Sequence, residues 1–391
     1  MENRIKEIIE GYKDEVIKAR HRFHEYPELS MVEYETVKYI EKVLEEHGIP
    51  FEDVNKTSCI AIIDSGKPGR TVGVRGDIDA LPIQEKVDIP YVSKIPGVSH
   101  ACGHDCHGAM ALGVALALNE CKDAFNGVVK VVFQEGEEVG LGAKHVVDST
   151  HTMDDCEAIF ALHMNPYLDC GVFGTCAGPM FAAAHQGRIL VEGTSGHGSI
   201  PEKSVNPVTV AAHIIMAIEH FAAYGYDAFS PYVLVPTMID GGTKVNNIAS
   251  TTEIAFDCRY FNEEFKQQMD SKFITLVEKT AEAFGAKATV TYDDTAIVPL
   301  FNDKELVKKA NKLICEEFGE ANLTDYPAEM GSEDFGVFLN VKKVPGFYAY
   351  LGAAENGRYT PFHGENTYYS DRALLPGVHF LVAFTLQYLN E

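Results

Sequence analysis

The chain has 391 residues, 46% of them hydrophobic and 23% charged, which is enough material for more than one compact core. Its 57 acidic residues outnumber the 33 basic ones and leave a formal net charge of -24. That field repels phosphate backbones and anionic lipid surfaces, so neither nucleic acid nor membrane is an expected partner. Charges interrupt the first twenty positions and no apolar run of spanning length stands out, which predicts neither an export signal nor a membrane helix. Nine cysteines then read as free thiols or metal ligands of a cytoplasmic protein.

Apolar residues at Ile5, Ile8, Ile9, Tyr12, Val16 and Phe23 recur at helical spacing, and Val37, Ile40 and Leu44 continue the pattern in a second helix ending near Gly48. Residues 59–63 and 71–75 read as short strands joined by Gly66-Lys-Pro-Gly69. A buried helix over about 109–118, a strand over 128–133, a helix over 141–149 and a strand over 158–162 follow. This alternation predicts an α/β sheet covered by helices. Segments near 187–192, 205–223, 232–238, 253–259, 265–284 and 287–292 then read as strand, helix, strand, strand, helix, strand, the βαββαβ order of a ferredoxin-like unit. A helix over 303–318, a strand over 346–351 and a helix over 371–389 resume the earlier style. We therefore expect a discontinuous first domain, residues 1–183 and 297–391, interrupted by an inserted domain at 184–296.

The reactive residues gather at predicted carboxyl ends of strands, the edge where open α/β sheets bind ligands. Asp77 and Asp79 follow one strand, Glu135, Glu137 and Glu138 the next, and His163 the third. His100-Ala-Cys-Gly-His-Asp-Cys-His107 holds six candidate ligands in eight residues, and its mixture of thiol and imidazole suits zinc-like divalent ions. Glu137-Glu138 offers the two carboxylate roles of a hydrolytic metal site, ligand and general base, although such a pair alone reads as a solvated loop. Rival readings fit less well. Cys102-x-x-x-Cys106-His107 is one residue too long for haem attachment, no second local ligand pair completes a structural zinc site, and no G-x-S-x-G elbow is present. Gly140-x-Gly142 lacks the third glycine of a dinucleotide loop, while Cys102 beside His104 leaves a thiolate-imidazole nucleophile as an alternative.

Arg75-Gly-Asp-Ile-Asp-Ala-Leu-Pro82, His100-Ala-Cys-Gly-His-Asp105, Gln134 through Glu138, Ala161-Leu-His163, Gly196-His-Gly198 with Pro201-Glu202, Gly241-Gly242 with Asn246, Gly331-Ser-Glu-Asp-Phe335 and Phe362-His363 occur in one order. Together they resemble the co-catalytic metallo-amidohydrolase branch of the aminoacylase and carboxypeptidase family, which includes hippurate hydrolases, auxin-conjugate hydrolases and N-acetyldiaminopimelate deacetylases. The resemblance implies that the discontinuous domain is a mixed-sheet α/β/α metallopeptidase-like catalytic domain and that the inserted one is a ferredoxin-like α+β lid or dimerisation domain. It also implies two divalent ions per subunit, zinc or manganese, with cobalt or nickel as alternatives. Its pattern assigns Cys102, His104, Glu138, His163 and His363 as metal ligands, Glu137 as general base and Asp79 as the carboxylate orienting a ligand. Asp77 is not counted as a ligand. His197 matches the residue that reaches a neighbouring subunit's site, and Asn246 and Arg259 match positions near the substrate carboxylate, so a homodimer through the inserted domain is expected. The implied reaction is hydrolysis of small N-acyl amino acids, with a dipeptidase or carboxypeptidase acting on short peptides, or a binding protein without catalysis, as alternatives. Two departures bear on substrate choice. Glu135-Gly136 stands where Pro-Ala is usual and is expected to add a negative charge beside the site, and Tyr260-Phe261 replaces a threonine-rich segment.

Overall fold

Strands and helices alternate along most of the chain, whose computed structural model describes residues 2–227, 229–293 and 297–391. Helices α1 (Glu2–Gly11), α2 (Lys13–Glu25) and α3 (Tyr34–Glu46) lead into β1 (Phe51–Val54), β2 (Ser58–Asp64), β3 (Thr71–Asp77), α4 (His104–Glu120), β4 (Val128–Gln134), α5 (Gly142–Ser149), β5 (Ala158–Asp169), β6 (Phe173–Thr175) and β7 (Gly178–Phe181). Next come β8 (Ala183–Glu192), β9 (Gly196–His197), α6 (Pro207–Tyr224), β10 (Tyr232–Gly241), β11 (Asn247–Ile248), β12 (Thr251–Tyr260), α7 (Glu263–Ala283) and β13 (Lys287–Tyr292). The chain closes with β14 (Leu300–Asn302), α8 (Lys304–Phe318), β15 (Leu323–Asp325), α9 (Gly336–Lys342), β16 (Gly346–Ala354) and α10 (Leu374–Leu389). Contacts divide these elements into one unit of Met1–Met180, Phe301–Ala328 and Asp334–Glu391, and a second of Phe181–Leu300 with Glu329–Glu333.

The first unit is built on an eight-stranded mixed sheet of order β1-β2-β4-β3-β5-β16-β6-β15. Its centre, β4-β3-β5-β16, is parallel, so the carboxyl ends of these strands open on one edge. Side chains of β4 alternate: Val129, Val131 and Phe133 join the core that contains α4, while Gln134 on the opposite face bonds Asp334 just before α9. Helix α4 is buried from His104 to Leu118 and so has no polar face. Gly113 permits this packing, because a Cβ there would meet methyls of Val16 and Val378 at 2.8 Å. The structure corrects three expected boundaries. The first helix is two, broken at Tyr12; β5 runs on to Asp169; and α4 starts at His104 rather than near 109. That early start was hidden because His104, Asp105 and His107 are polar yet buried, so hydrophobic periodicity begins only after them.

The second unit has a four-stranded antiparallel sheet of order β10-β12-β8-β13, with elements in the order βαββαβ. Thr252, Ile254, Phe256 and Cys258 of β12 are buried while the residues between them are half-buried, the period-two pattern of a sheet covered on one face. The cover is α6 and α7, whose Ile214, Ile218, Phe273 and Val277 share a core with Ile189, Ile254 and Phe256. At 18 residues α6 meets the length and composition of a spanning helix, which the sequence expectation had denied to every segment. Its Val210, Ala211, Ile214, Ile218 and Phe221 nevertheless pack into this core, the placement of an amphipathic cover helix. All nine cysteines are free thiols.

Candidate metal centre

The carboxyl edge of the parallel strands brings Cys102, His104, Glu137, Glu138, His163 and His363 together. Cys102, His104 and His163 form one set of ligand atoms within 4.8 Å of one another, Cys102, Glu138 and His363 a second, and His104, Glu137 and Glu138 a third. Local structure explains each placement. Gly103, at φ 87, turns the chain so that Cys102 lies just before α4 and His104 is its first residue. Gly136 and Gly140, at φ 59 and φ 66, bracket the short 3-10 turn carrying Glu137 and Glu138. His163 lies within β5, and His363 follows β16 in a left-handed conformation, φ 55, that a non-glycine residue rarely adopts.

Spacing and chemistry fit divalent ions. The Sγ of Cys102 lies 3.5 Å from His163 Nε2 and 3.3 Å from His363 Nε2, and Glu138 Oε1 lies 3.5 Å from His363 Nε2 and 3.9 Å from His104 Nε2. Two ligands disposed tetrahedrally around a zinc-sized ion stand roughly 3.4–3.6 Å apart. His104 Nε2 and Glu138 Oε1 are buried with no hydrogen-bond partner among the described residues, an arrangement that is costly unless something coordinates them. Two of the remaining ring nitrogens are committed. His163 Nδ1–H donates to the Met164 carbonyl at 2.7 Å, which leaves Nε2 as the lone-pair nitrogen, and His104 Nδ1–H donates to Asp79 Oδ1 at 3.0 Å.

Burial dominates the titration of these groups. It pushes the Cys102 thiol well up, holds His163 well below the usual imidazole range, and raises Glu138 to about 7. For His104 burial works against the cation, but the Asp77 carboxylate and then the Cys102 sulfur outweigh it and hold the imidazole high. A divalent ion held by Cys102, His104 or Glu138 would therefore displace protons.

The structure also sorts the dense cysteine-histidine motif. Only Cys102 and His104 of its six candidates face the cluster. His107 uses both nitrogens elsewhere, Nδ1 with Asp77 Oδ1 at 2.5 Å and Nε2 as acceptor from the Met164 amide at 2.8 Å. Asp105 pairs with buried Arg20 at 2.9 Å and His24 at 2.7 Å, Cys106 is buried, and His100 is buried outside every ligand set. Asp77, His104 and His107 do form a further set, but Asp77 Oδ2 is held by Arg75 Nη1 at 2.6 Å, which commits that carboxylate to an ion pair. Asp79 ties the loops together, because its Oδ2 accepts from the Glu138 amide at 3.0 Å while Oδ1 fixes His104. Glu135, expected to place a charge beside the site, is instead fully buried and bonded to His145.

Sequence reasoning gave no role to Asp334, although it quoted the motif around it. Asp334 accepts from Arg75 Nη2 and Gln134 Nε2 at 2.9 Å and from the Ala143 amide at 2.8 Å, bracing the strand end before Glu137. Its partners lie more than 190 positions away in sequence, beyond the reach of local pattern.

His197, Asn246 and Arg259 belong to the second unit. His197 pairs with Asn247 between β9 and β11, is exposed, and holds the Ser199 hydroxyl at Nδ1, 2.7 Å away. The carbonyl of Asn246 accepts from the Gly198 amide at 3.0 Å, so Asn246 flanks the small β-pair that contains His197. Arg259, on β12, donates through Nε to Asp257 at 2.8 Å and through Nη1 to Ser332 at 3.0 Å.

The model of peptidase family M20/M25/M40 matches residues 73–387. Thermostable carboxypeptidase 1 of Saccharolobus solfataricus is 32% identical over 89% of this chain and 88% of its own length. N-acetyl-L-cysteine deacetylase of Bacillus subtilis is 33% identical over 86% and 80%. Among solved structures, a dinuclear metal-binding peptidase of the M20 family from Bacillus subtilis is 29% identical, covers 97% of this chain and 99% of its own, and superposes with a TM-score of 0.84.

Proposed function

Because the chain belongs to peptidase family M20/M25/M40, we propose that this metal-dependent amide hydrolase cleaves small N-acyl amino acids at a two-ion centre held by Cys102, His104, Glu138, His163 and His363. The single observation that carries the reading is the overlap of ligand sets through Cys102 and His104, with Glu137 inside the third set. Two divalent ions held there, zinc or manganese in this reading, with cobalt or nickel as alternatives, would supply Lewis acidity for a bound water and for the scissile carbonyl. Glu137 takes the water's proton and passes it to the leaving amine. Asp79, through its bond to His104, keeps that ring in the tautomer with Nε2 available. Arg259, released from Asp257, clamps the substrate carboxylate with Asn246 beside it, so an acidic protein still binds an acidic ligand locally.

His197 completes the reading. We assign it to the partner subunit's carbonyl, in a homodimer joined through residues of about 184–296. The exposed edge strand β10, with Val233, Val235, Met238 and Ile239 open to solvent, supports such a pairing. A second reading, a carboxypeptidase acting on short peptides, is favoured by the similarity to the carboxypeptidase of Saccharolobus solfataricus. Amine release from N-acetyl and N-benzoyl amino acids and from dipeptides, with each metal supplied in turn, separates the two. Turnover of N-acyl amino acids supports the first reading, turnover of dipeptides alone supports the second, and activity that survives chelation but dies with iodoacetamide overturns both in favour of a Cys102 nucleophile.

A further inference from the structure

The matched family region starts at residue 73, yet the connector between α2 and α3 touches the catalytic loops at several points. Leu29 bridges Ala80, and the Ala80 amide donates to the Glu28 carbonyl at 2.8 Å, so the connector runs alongside the stretch from Asp77 to Ala80. Ser30 Oγ donates to Asp79 Oδ2 at 2.7 Å, the oxygen that also accepts from the Glu138 amide. Glu33 Oε1 accepts from the Met31 amide at 2.9 Å and from the Gly136 amide at 2.8 Å, so it holds the residue immediately before Glu137.

Conformation matches these contacts. Met31 sits at φ 69, unusual for a non-glycine residue, and Gly136 sits at φ 59 beneath it. A Cβ on Gly136 would meet Met31 Sδ at 2.4 Å, so the two left-handed residues pack where only glycine fits on one side. The other end of the connector is anchored by Glu28, whose carboxylate accepts from the Glu35 amide at 2.9 Å and the Thr36 amide at 2.8 Å at the start of α3.

From this geometry we propose that residues 28–33 form a clasp in which Ser30 and Glu33 are positioning residues for the metal centre. Ser30 sets Asp79 and Glu33 sets the turn that carries Glu137 and Glu138. The inference rests on the proposed function. The hydrogen bonds of Glu33 go to the Met31 and Gly136 amides, neither of them on a proposed metal ligand, and its fully buried Oε2 has no partner among the described residues. Burial, and then the neighbouring Asp79 charge, push its carboxyl up to about 8, so near neutral pH it serves as a neutral acceptor. An amide can replace such an acceptor; a methyl cannot.

The test uses the full chain with Glu33→Ala, Glu33→Gln and Ser30→Ala, and reads metal affinity by titrating apo protein with zinc or manganese as well as kcat and KM. We expect Glu33→Ala to weaken binding of at least one ion by roughly 10–100-fold, the range for lost supporting bonds around metal ligands, and to lower kcat more than KM. Glu33→Gln should restore both, and Ser30→Ala should weaken metal binding in the same direction. If Glu33→Ala fails to fold, Ser30→Ala, at a half-buried position, carries the test alone. Unchanged metal affinity and kcat in folded Glu33→Ala, or in Ser30→Ala where Glu33→Ala does not fold, overturns the clasp. So does a Glu33→Gln variant as damaged as Glu33→Ala at equal thermal stability. A wild-type chain that binds both ions yet hydrolyses no amide sinks only the functional reading; one that binds neither ion sinks both.

Discussion

The candidate residues of the two units are held in different ways. In the first unit Cys102, His104 and His163 are buried, and the two histidines each have one ring nitrogen pinned by a hydrogen bond so that the other is presented to the cluster. In the second, His197 is exposed and bonded to its neighbour Ser199, and Arg259 is paired with Asp257 two residues away on its own strand. In our reading the difference follows from what each set binds. A metal ligand misplaced by a few tenths of an ångström loses coordination, so its orientation has to exist before the ion arrives. A group that meets substrate can exchange one hydrogen-bond partner for another at modest cost, because both states are satisfied.

The sharpest way to break the comparison is at Glu137, which belongs to the cluster but in our reading holds no ion alone. Glu137→Gln should retain both ions and lose turnover by about 10²–10⁴-fold, the usual worth of a positioned general base. Metal analysis by mass spectrometry alongside kcat decides it: an equal fall in metal content reassigns Glu137 as a ligand. Cys102→Ser should act in the opposite order. Cys102 is shared by two ligand sets, and a hydroxyl is far harder to ionise than a thiol. We expect metal affinity to fall by more than the roughly 10–100-fold typical of supporting residues, with activity following occupancy and partly returning at high metal concentration. Unchanged stoichiometry in that variant would remove the shared-ligand assignment.

Much of the first unit was legible because its signals are local. The alternation of strand and helix, the Cys102-x-His104 turn and the Glu137-Glu138 pair each lie within a few residues, and the family pattern then linked them to His163 and His363. What stayed hidden was the choice among neighbours of one chemical type. His104 and His107 look alike in sequence, and only the burial of α4 against Asp77 and the Met164 amide commits the second to structure. The start of α4 was misplaced for the same reason, since buried polar residues mimic a loop. Glu135 likewise read as a site charge, because its partner His145 lies on the following helix, outside every quoted motif. Ser30, Glu33 and Asp334 act across 49 to 259 positions, a range at which a single sequence carries no pairing signal.

The next prediction sharpens the comparison by asking whether the looser set belongs to a partner. His197→Ala and Glu137→Gln should each be nearly inactive as homodimers. If His197 serves the opposite subunit, a mixed dimer holds one intact site and one doubly damaged site. An equal mixture at full exchange should then recover about a quarter of wild-type activity, since half the dimers are mixed and half of their sites are intact. Exchange is followed with a mass tag on one variant. No recovery once exchange is complete removes the shared site.

The smallest expected effect is at Arg259, and it tests whether the second unit's polar groups truly exchange partners. Arg259→Lys keeps the charge but loses the planar fork that matches a carboxylate with two parallel bonds. Asp257 and Ser332 accept one bond each from Arg259, so a lysine in its place still finds Asp257 nearby and the fold should be little disturbed. For an N-acyl amino acid we expect KM to rise about 10-fold, equivalent to roughly 1.4 kcal/mol, with kcat nearly unchanged. The corresponding N-acyl amino acid amide, which has no carboxylate, should show no difference between wild type and variant. A loss that is equal for both substrates places Arg259 in the architecture of β12 rather than on the substrate. A loss confined to the free acid shows that the pairing with Asp257 is a resting state that substrate displaces.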